Sequence, residues 1–265
     1  MASVGLPELT VEEMGVPTAD NPGLKRCAEL ARTPVGNYHY GELKIALDPA
    51  SPSHYLPVVP AGAKVLDIGC GAGQTLIAAC PYRVPGEGGL CLPCSRNDCP
   101  EWGYGVDIDE EALALGRAWS RRMVFSLGSA DRLPYNDQEF DLVISRVALP
   151  YVDMQRAIAE IRRVLRPGGR IWIALHPFRT IFLHWRQRNW KGWCFAGYVA
   201  LNGLFFHLTL RTFSLLYRRE YWQSESATRR VLTKAGFVNI QREPGPPNRL
   251  SISAELPESV PGAVR

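Results

Sequence analysis

The sequence predicts an α/β protein with a doubly wound, mostly parallel sheet of seven strands and a helical, aromatic-rich insertion. Three observations lead to this prediction. Short apolar segments alternate with amphipathic helical ones, 46% hydrophobic residues in a chain of 265 suffice for one sizeable core, and no segment repeats at the fixed spacing of a solenoid. The predicted strands are residues 64–68, 103–108, 124–127, 140–145, 171–175, 237–241 and 250–254.

The first predicted unit is a strand, a tight turn and a helix. The apolar residues 64–68 precede the glycine-rich residues 69–73, and the apolar residues 76–79 follow them. The second strand, 103–108, leads into a helix for which Asp109 is the expected N-cap, with two glutamates in the first turn. This helix is expected to end near residue 121.

Later elements repeat this alternation. Asp153 is the expected N-cap of a helix whose apolar residues recur at helical spacing, and Arg166-Pro167-Gly168-Gly169 is expected to stop it. Ser224 to Lys234 form a capped helix that ends at Gly236. Ligands of such sheets bind at the carboxyl ends of the strands, where the strand order reverses.

Composition excludes several classes of protein. The net charge of +4 is too small to indicate nucleic-acid binding by itself. Residues 1–15 hold three glutamates and no basic region followed by an apolar run, so we expect no secretory signal. Seven cysteines, an odd number, favour a reducing compartment and a cytoplasmic location. Residues 194–210 are uncharged but short beside the ~20 residues of a span, so no transmembrane span is expected.

The glycine-rich turn suggests a family. Val65-Leu66-Asp67-Ile68-Gly69-Cys70-Gly71-Ala72-Gly73 resembles the first motif of class I S-adenosylmethionine-dependent methyltransferases, in particular small-molecule enzymes with a type 11 domain. A dinucleotide fingerprint requires glycine three positions after Gly71, where Gln74 stands. The resemblance implies a Rossmann-like fold and S-adenosyl-L-methionine as cofactor, with backbone N–H groups of the turn near its methionyl carboxylate.

Further motifs extend the resemblance over most of residues 64–173. Gly105-Val106-Asp107-Ile108-Asp109 is similar to the family's second strand end, which implies that Asp107 accepts hydrogen bonds from both ribose hydroxyls. Many relatives have an acidic residue at the position of Ser129, so either Ser129 or Asp131 is the expected adenine acceptor. The implied cofactor-binding residues are Asp67, Gly69, Cys70, Gly71, Gly73, Asp107, Ile108, Ser129, Ala130, Asp131 and Ser145.

The implied reaction is in-line transfer of a methyl group, in which the protein chiefly holds the two reacting groups in position. His176, directly after the fifth strand, is the first candidate for a general base, and its alternative role is to hold the turn before Pro177. Tyr151 and Arg146 follow the fourth strand and are expected either to line the acceptor site or to be structural. The N-terminal segment is expected to be helical around residues 24–32, and its second-rank acceptor-site candidates are Tyr38, His39 and Tyr40.

A cysteine-rich insert occupies residues 81–102, a connection much longer than the roughly 2–6 residues that are usual. Four thiolates satisfy tetrahedral zinc, and free thiols or a redox disulfide are the alternatives. The candidate ligands of a structural zinc ion are Cys80, Cys91, Cys94 and Cys99.

A second insertion, residues 178–222, interleaves thirteen aromatic residues with six arginines. In relatives this place often holds a substrate lid, and an aromatic cover suits a flat or lipophilic acceptor. The alternatives are a helical subdomain packed on the sheet, a surface that stacks RNA bases, and an interfacial helix at a membrane surface.

These inferences predict four parts: an N-terminal helical cap (1–56), a cofactor-binding core (57–177), the lid insertion (178–222) and a C-terminal completion of the core (223–265). The predicted function is methylation of O, N or C of a small apolar or aromatic metabolite. Nucleic acid is disfavoured, because Ser145-Arg146-Val147-Ala148 lacks the two prolines and aromatic residue of base amino-methyltransferases. The alternatives are an RNA methyltransferase that uses the cysteine insert for recognition and a non-catalytic cofactor-binding interaction protein.

Overall fold

The computed structural model describes residues 22–48, 50–51, 54–80, 103–120, 122–182, 190–215, 219–245 and 250–258. Its strands form one seven-stranded sheet in the order β3-β2-β1-β4-β5-β7-β6. Only β7 runs antiparallel to its neighbours, so the prediction of a mostly parallel sheet is confirmed. The strands are β1 (Val65–Ile68), β2 (Gly103–Asp107), β3 (Met123–Leu127), β4 (Phe140–Arg146), β5 (Leu165–Ala174), β6 (Val238–Arg242) and β7 (Ser251–Glu255).

Helices cover both faces of the sheet. One buried cluster joins the sheet to α5 and α7, and the other joins it to α1, α2, α3 and α4. Val65 belongs to the second cluster and Leu66 to the first, because successive residues of a strand point to opposite faces. The helices are α1 (Pro22–Leu30), α2 (Pro34–Leu47), α3 (Gln74–Ala79), α4 (Glu110–Trp119), α5 (Met154–Val164), α6 (Trp190–Thr209) and α7 (Glu225–Lys234).

Local side-chain caps start three of these helices, as the sequence predicts. Asp109 Oδ1 accepts hydrogen bonds from the backbone N–H groups of Glu111 and Ala112. Asp153 caps α5 in the same way, and Ser224 Oγ accepts from the backbone of the first turn of α7. The three predicted helix starts are therefore confirmed, because each depends on contacts within a few residues.

Two elements differ from the sequence prediction. Helix α5 ends at Val164 because Leu165 already pairs with Phe140 of β4, so Arg166-Pro167-Gly168-Gly169 lies in a β-bulge inside β5. Helix α2 extends to Leu47, beyond the predicted N-terminal helical stretch at 24–32. The Thr33 side chain accepts from Gly36 N–H at its start, and Pro34 occupies the first helical position.

The strand order reverses between β1 and β4. The chain passes from β1 to β2 and β3 on one side, and then returns to place β4 and β5 on the other side. The carboxyl ends of β1, β2 and β4 therefore border a crevice at a topological switch point. None of the helices in the described part of the chain is long and apolar enough to cross a bilayer.

Candidate active site

A buried carboxyl group lies at the end of β1. The side chain of Asp67 is 1% exposed, and neither of its oxygens has a hydrogen-bond partner among the described residues. Burial raises the pKa of Asp67 well above its usual range, Arg146 lowers it in part, and Asp107 raises it further. A buried carboxyl without a donor is destabilising, so this position is suited to a donor brought by a ligand.

The glycine turn after β1 lies directly under helix α2. Gly69, Gly71 and Gly73 all have positive φ angles, between 54° and 79°. A Cβ atom on Gly71 would lie 2.7 Å from Cε1 of His39, so the close approach of α2 requires glycine there.

Asp107 joins β2 to this turn. Its Oδ2 atom accepts from Gly71 N–H at 2.8 Å, and its Oδ1 atom accepts from Asp109 N–H at 3.0 Å. A carboxylate oxygen has two lone pairs, so each oxygen keeps capacity for one further donor such as a hydroxyl group. The neighbouring Ile108 is 77% exposed, which leaves an apolar side chain beside the carboxylate.

The loop after β3 contains a polarised hydroxyl group. Ser129 Oγ donates to Asp131 Oδ1 at 2.6 Å. Its proton is therefore directed to the carboxylate, and its lone pairs are left to accept from an amino group. Ala130 between them is buried. The structure brings the two alternative adenine acceptors into one hydrogen-bonded pair.

Two predicted cofactor-binding side chains instead link parts of the protein. Ser145, which is buried, donates from Oγ to the Ile68 carbonyl oxygen at 3.2 Å and ties β4 to β1. The Cys70 thiol is buried, and desolvation raises its pKa well above the usual value. Its Sγ atom donates to the Gly71 carbonyl oxygen at 3.4 Å. Of Cys70, only the backbone is suited to contact a cofactor.

The acceptor candidates border the same crevice. The rings of Tyr151 and His176 are 6.0 Å apart between centroids, at an interplanar angle of 62°. His176 N–H donates to Gln223 Oε1 at 3.2 Å, and Gln223 N–H donates to the His176 carbonyl oxygen at 2.6 Å. The turn after β5 is thus held through the backbone of His176, and the imidazole ring packs against Tyr151.

Comparisons with known proteins agree with this arrangement. Residues 66–173, from β1 through most of β5, match the family model described as a methyltransferase domain. The chain carries a class I S-adenosylmethionine-dependent methyltransferase domain. Its activity is methyl transfer from that cofactor.

Two relatives and two solved structures illustrate the similarity of the methyltransferase to known proteins. A demethylmenaquinone methyltransferase of Bacillus mycoides is 29% identical over 200 residues, 70% of this chain and 74% of the relative. An uncharacterized methyltransferase of Synechocystis is 32% identical over 147 residues, 53% of this chain and 58% of the relative.

The solved structures are similar in fold. The CurJ carbon methyltransferase has a TM-score of 0.58 at 14% identity, with 89% of this chain and 66% of that chain covered. A Haloferax volcanii methyltransferase, solved in complex with the Trm112 activator, has a TM-score of 0.52 at 19% identity, with 89% of this chain and 97% of that chain covered.

The residues of the methyltransferase fit its cofactor. S-adenosylmethionine carries an ammonium group, which matches the buried, unpartnered carboxyl of Asp67. Its two ribose hydroxyls match the remaining acceptor capacity of Asp107, and its flat adenine matches the exposed side chain of Ile108.

Sequence reasoning missed one feature of the site, which is the docking of α2 on the glycine turn. His39 Nδ1 and Gln74 Nε2 are 2.5 Å apart, and Arg146 Nη2 donates to Glu42 Oε2 at 3.2 Å. From the sequence, His39 was a candidate for the acceptor site. Gln74 served only to show that the glycine of a dinucleotide fingerprint is absent. Glu42 had no sequence signal, because a glutamate on a helix is usually solvated.

The other N-terminal candidates lie beside this contact. Tyr38 is exposed, and burial of part of its ring together with the Glu42 carboxylate raises its pKa, which Arg146 partly offsets. Tyr40 lies under the Lys44 ammonium, 5.0 Å from its ring centroid. The structure therefore brings Tyr38 toward the Arg146 side of the crevice.

The structure describes only one of the four candidate zinc ligands. Cys91, Cys94 and Cys99 lie outside the described residues, whereas Cys80 is a buried free thiol just after α3. The described residues contain no group of three or more His, Cys, Asp or Glu able to hold a metal ion. A structural zinc site stays a prediction from the sequence.

Proposed function

We propose that this methyltransferase methylates O, N or C of a small, lipophilic or aromatic molecule. The observation that carries the proposal is the aromatic character of the crevice beyond the cofactor residues. Tyr151 faces His176, and Phe178 follows two residues later, with its ring half exposed and 5.5 Å from the Trp222 ring. Aromatic walls bind flat apolar molecules and keep water from the reacting atoms.

The Bacillus mycoides relative supports the same substrate class. Its name gives demethylmenaquinone, a lipophilic ring compound, as the molecule that it methylates. The described edge of this crevice has aromatic rings where such a compound requires apolar contact. We infer a ring-containing acceptor for this chain, without assigning it that compound.

The cofactor-binding residues hold S-adenosylmethionine in position for the reaction. When bound, S-adenosylmethionine supplies an electrophilic methyl group on a sulfonium centre. Asp67 and Asp107 orient the two polar ends of this molecule, and the glycine turn lets the backbone approach it. Correct orientation of two reacting groups contributes roughly 7–11 kcal/mol, so this placement supplies much of the rate enhancement.

Residues on the acceptor side take up the proton that a hydroxyl acceptor loses. For a hydroxyl acceptor, the His176 imidazole would take the hydroxyl proton. The methyl group would come from the bound sulfonium, whose carbon–sulfur bond breaks with its electron pair left on sulfur. Burial, together with the nearby Glu220 and Tyr38, raises the pKa of Tyr151 to about 12, so its phenol stays protonated near neutral pH. Tyr151 therefore serves as a hydrogen-bond donor to the acceptor, and His176 is the base.

A labelling experiment tests the proposal. The methyltransferase is incubated with cell extract and deuteromethyl-labelled S-adenosylmethionine, and the products are separated into small molecules, protein and RNA for mass spectrometry. We expect the label in apolar, ring-containing small molecules, with much less label when Asp107→Ala protein is used at limiting cofactor. Label found only in RNA, or no label in any fraction, would overturn the proposal.

A further inference from the structure

Helix α6 has large apolar side chains on its exposed side and an asparagine on its buried side. Its buried face contains Asn202, which is 0% exposed. The Asn202 Nδ2 atom donates to the carbonyl oxygens of Phe213 and Glu220 at 2.9 and 3.0 Å, and its Oδ1 atom accepts from Phe213 N–H at 3.0 Å. A buried amide with these partners is satisfied, so Asn202 fixes which side of this helix packs against the protein.

The outward face of α6 is apolar along its whole length. Trp190 near its start is 68% exposed and Leu208 near its end is 65% exposed. Twenty residues at 1.5 Å each span about 30 Å, and large apolar side chains recur on this face at helical spacing. The outward face of α6 is defined here by Trp190, Trp193, Leu201, Leu204, Phe205 and Leu208.

The chain segment that contains α6 is basic in sequence. Residues 175–219 contain six arginines and one lysine, and neither Asp nor Glu. Three of these arginines, Arg186, Arg188 and Arg218, lie outside the described residues. Arg179, Lys191 and Arg211 are exposed, and none of the three forms an ion pair with a carboxylate in the described part of the chain. Arg219, by contrast, lies 3.8 Å from Asp153. A row of exposed apolar side chains with unneutralised cations beside it is complementary to an apolar layer under a negative surface.

We propose that the outward face of α6 binds the surface of an anionic phospholipid bilayer. Its leucines and phenylalanine enter the boundary between headgroups and acyl chains, and the two tryptophans lie at headgroup level, where indole rings are favoured. Each basic residue held near the anionic surface strengthens binding.

The fold connects this face to the crevice. Trp222 packs on α6, where its Nε1–H donates to the Ala200 carbonyl oxygen at 3.1 Å, and its ring lies 5.5 Å from that of Phe178. Phe178 is two residues from His176. A bilayer bound to α6 therefore lies next to the acceptor side of the site, although the binding itself does not depend on which acceptor is methylated.

Vesicle sedimentation tests the proposal. The full chain is mixed with vesicles of phosphatidylcholine alone and with vesicles of equal parts phosphatidylcholine and phosphatidylglycerol. We expect binding to the mixed vesicles and much weaker binding to the neutral ones. Leu201→Glu combined with Leu208→Glu is expected to weaken binding to mixed vesicles at least about tenfold. The control is Val58→Glu, which places one glutamate on a highly exposed valine outside α6 and leaves binding unchanged.

The outcomes are distinguishable from those for the proposed function. Cofactor binding by calorimetry shows that the doubly substituted protein is folded, since neither leucine belongs to the cofactor site. No sedimentation with mixed vesicles, or equal binding by the double variant, overturns the proposal. Self-association that the double variant abolishes, without vesicle binding, shows instead that a second copy covers the face.

Discussion

Asp107 Oδ2 accepts a 2.8 Å hydrogen bond from the backbone N–H of Gly71. This bond ties the end of β2 to the glycine turn that follows β1, so one carboxylate both shapes the turn and presents acceptors for the ribose. The two cofactor-binding motifs therefore form one unit. Substitutions in the two motifs are expected to have non-additive effects on cofactor affinity.

Asp107→Ala is expected to weaken S-adenosylmethionine binding at least tenfold, or about 1.4 kcal/mol. The substitution removes the ribose acceptor and releases Gly71 N–H. Isothermal titration calorimetry measures the affinity. Asp137→Ala is the control, because this aspartate pairs with Arg163 on the surface at 2.8 Å. Equal affinity of wild-type and Asp107→Ala protein contradicts the ribose assignment.

Asp67→Asn is expected to change stability with pH. The unfolded carboxyl ionises above about pH 3.9, whereas the folded pKa is raised by burial. Wild-type stability therefore falls as pH rises from the unfolded pKa to the folded one, and asparagine removes this fall. Urea unfolding without cofactor should show a relative gain for the variant that grows with pH above about 4, together with weaker cofactor binding. Parallel pH curves would count against an uncompensated buried carboxyl.

His176→Ala is expected to lower kcat while cofactor affinity and thermal stability stay unchanged. The reason is that the turn after β5 is held by backbone contacts between His176 and Gln223. The comparison variant Gln223→Ala removes one of these contacts and is expected to lower stability. If His176→Ala lowers stability as much as Gln223→Ala does, the imidazole holds the turn and is not the base. An unchanged kcat for His176→Ala would lead to the same conclusion.

Gly203→Ala and Gly197→Ala are expected to have opposite effects on stability. A Cβ atom on Gly203 would lie 2.1 Å from Cδ1 of Trp222, whereas one on Gly197 would meet nothing within 4 Å. The first substitution is expected to destabilise by about 1–3 kcal/mol, and the second to stabilise by up to about 1 kcal/mol. Urea denaturation measures both changes, and effects of the same sign would contradict the packing of Trp222 on α6.

His39→Asn is expected to reduce the loss of stability at acidic pH. Burial lowers the pKa of His39, although the carboxylates of Asp109, Asp107, Glu42 and Glu111 oppose this shift. In the unfolded chain the imidazole is protonated below about pH 6.5, so wild-type stability falls as pH drops from that value toward the folded pKa. Asparagine keeps an acceptor for Gln74 and does not titrate. Unfolding curves with the same pH dependence in both proteins would contradict the prediction.

The local parts of the fold were predictable from the sequence. The N-caps at Asp109, Asp153 and Ser224 act within a few residues, and the glycine turn follows its strand directly. Seven strands of the expected type were found for the same reason, since a short apolar run between helical segments specifies a buried strand. The end of α5 was less predictable, because pairing of Leu165 with Phe140 decided it.

Contacts between distant residues were decided only by the tertiary structure. His39 meets Gln74 across 35 positions, and Arg146 meets Glu42 across 104. The sequence showed that α6 is apolar, but Asn202 faces the protein and Leu208 faces outward because of which side packs on Trp222 and the segment after the helix. Periodicity along a chain specifies the faces of an element. The neighbour that covers each face depends on how all the layers pack, and that arrangement is a property of the whole fold.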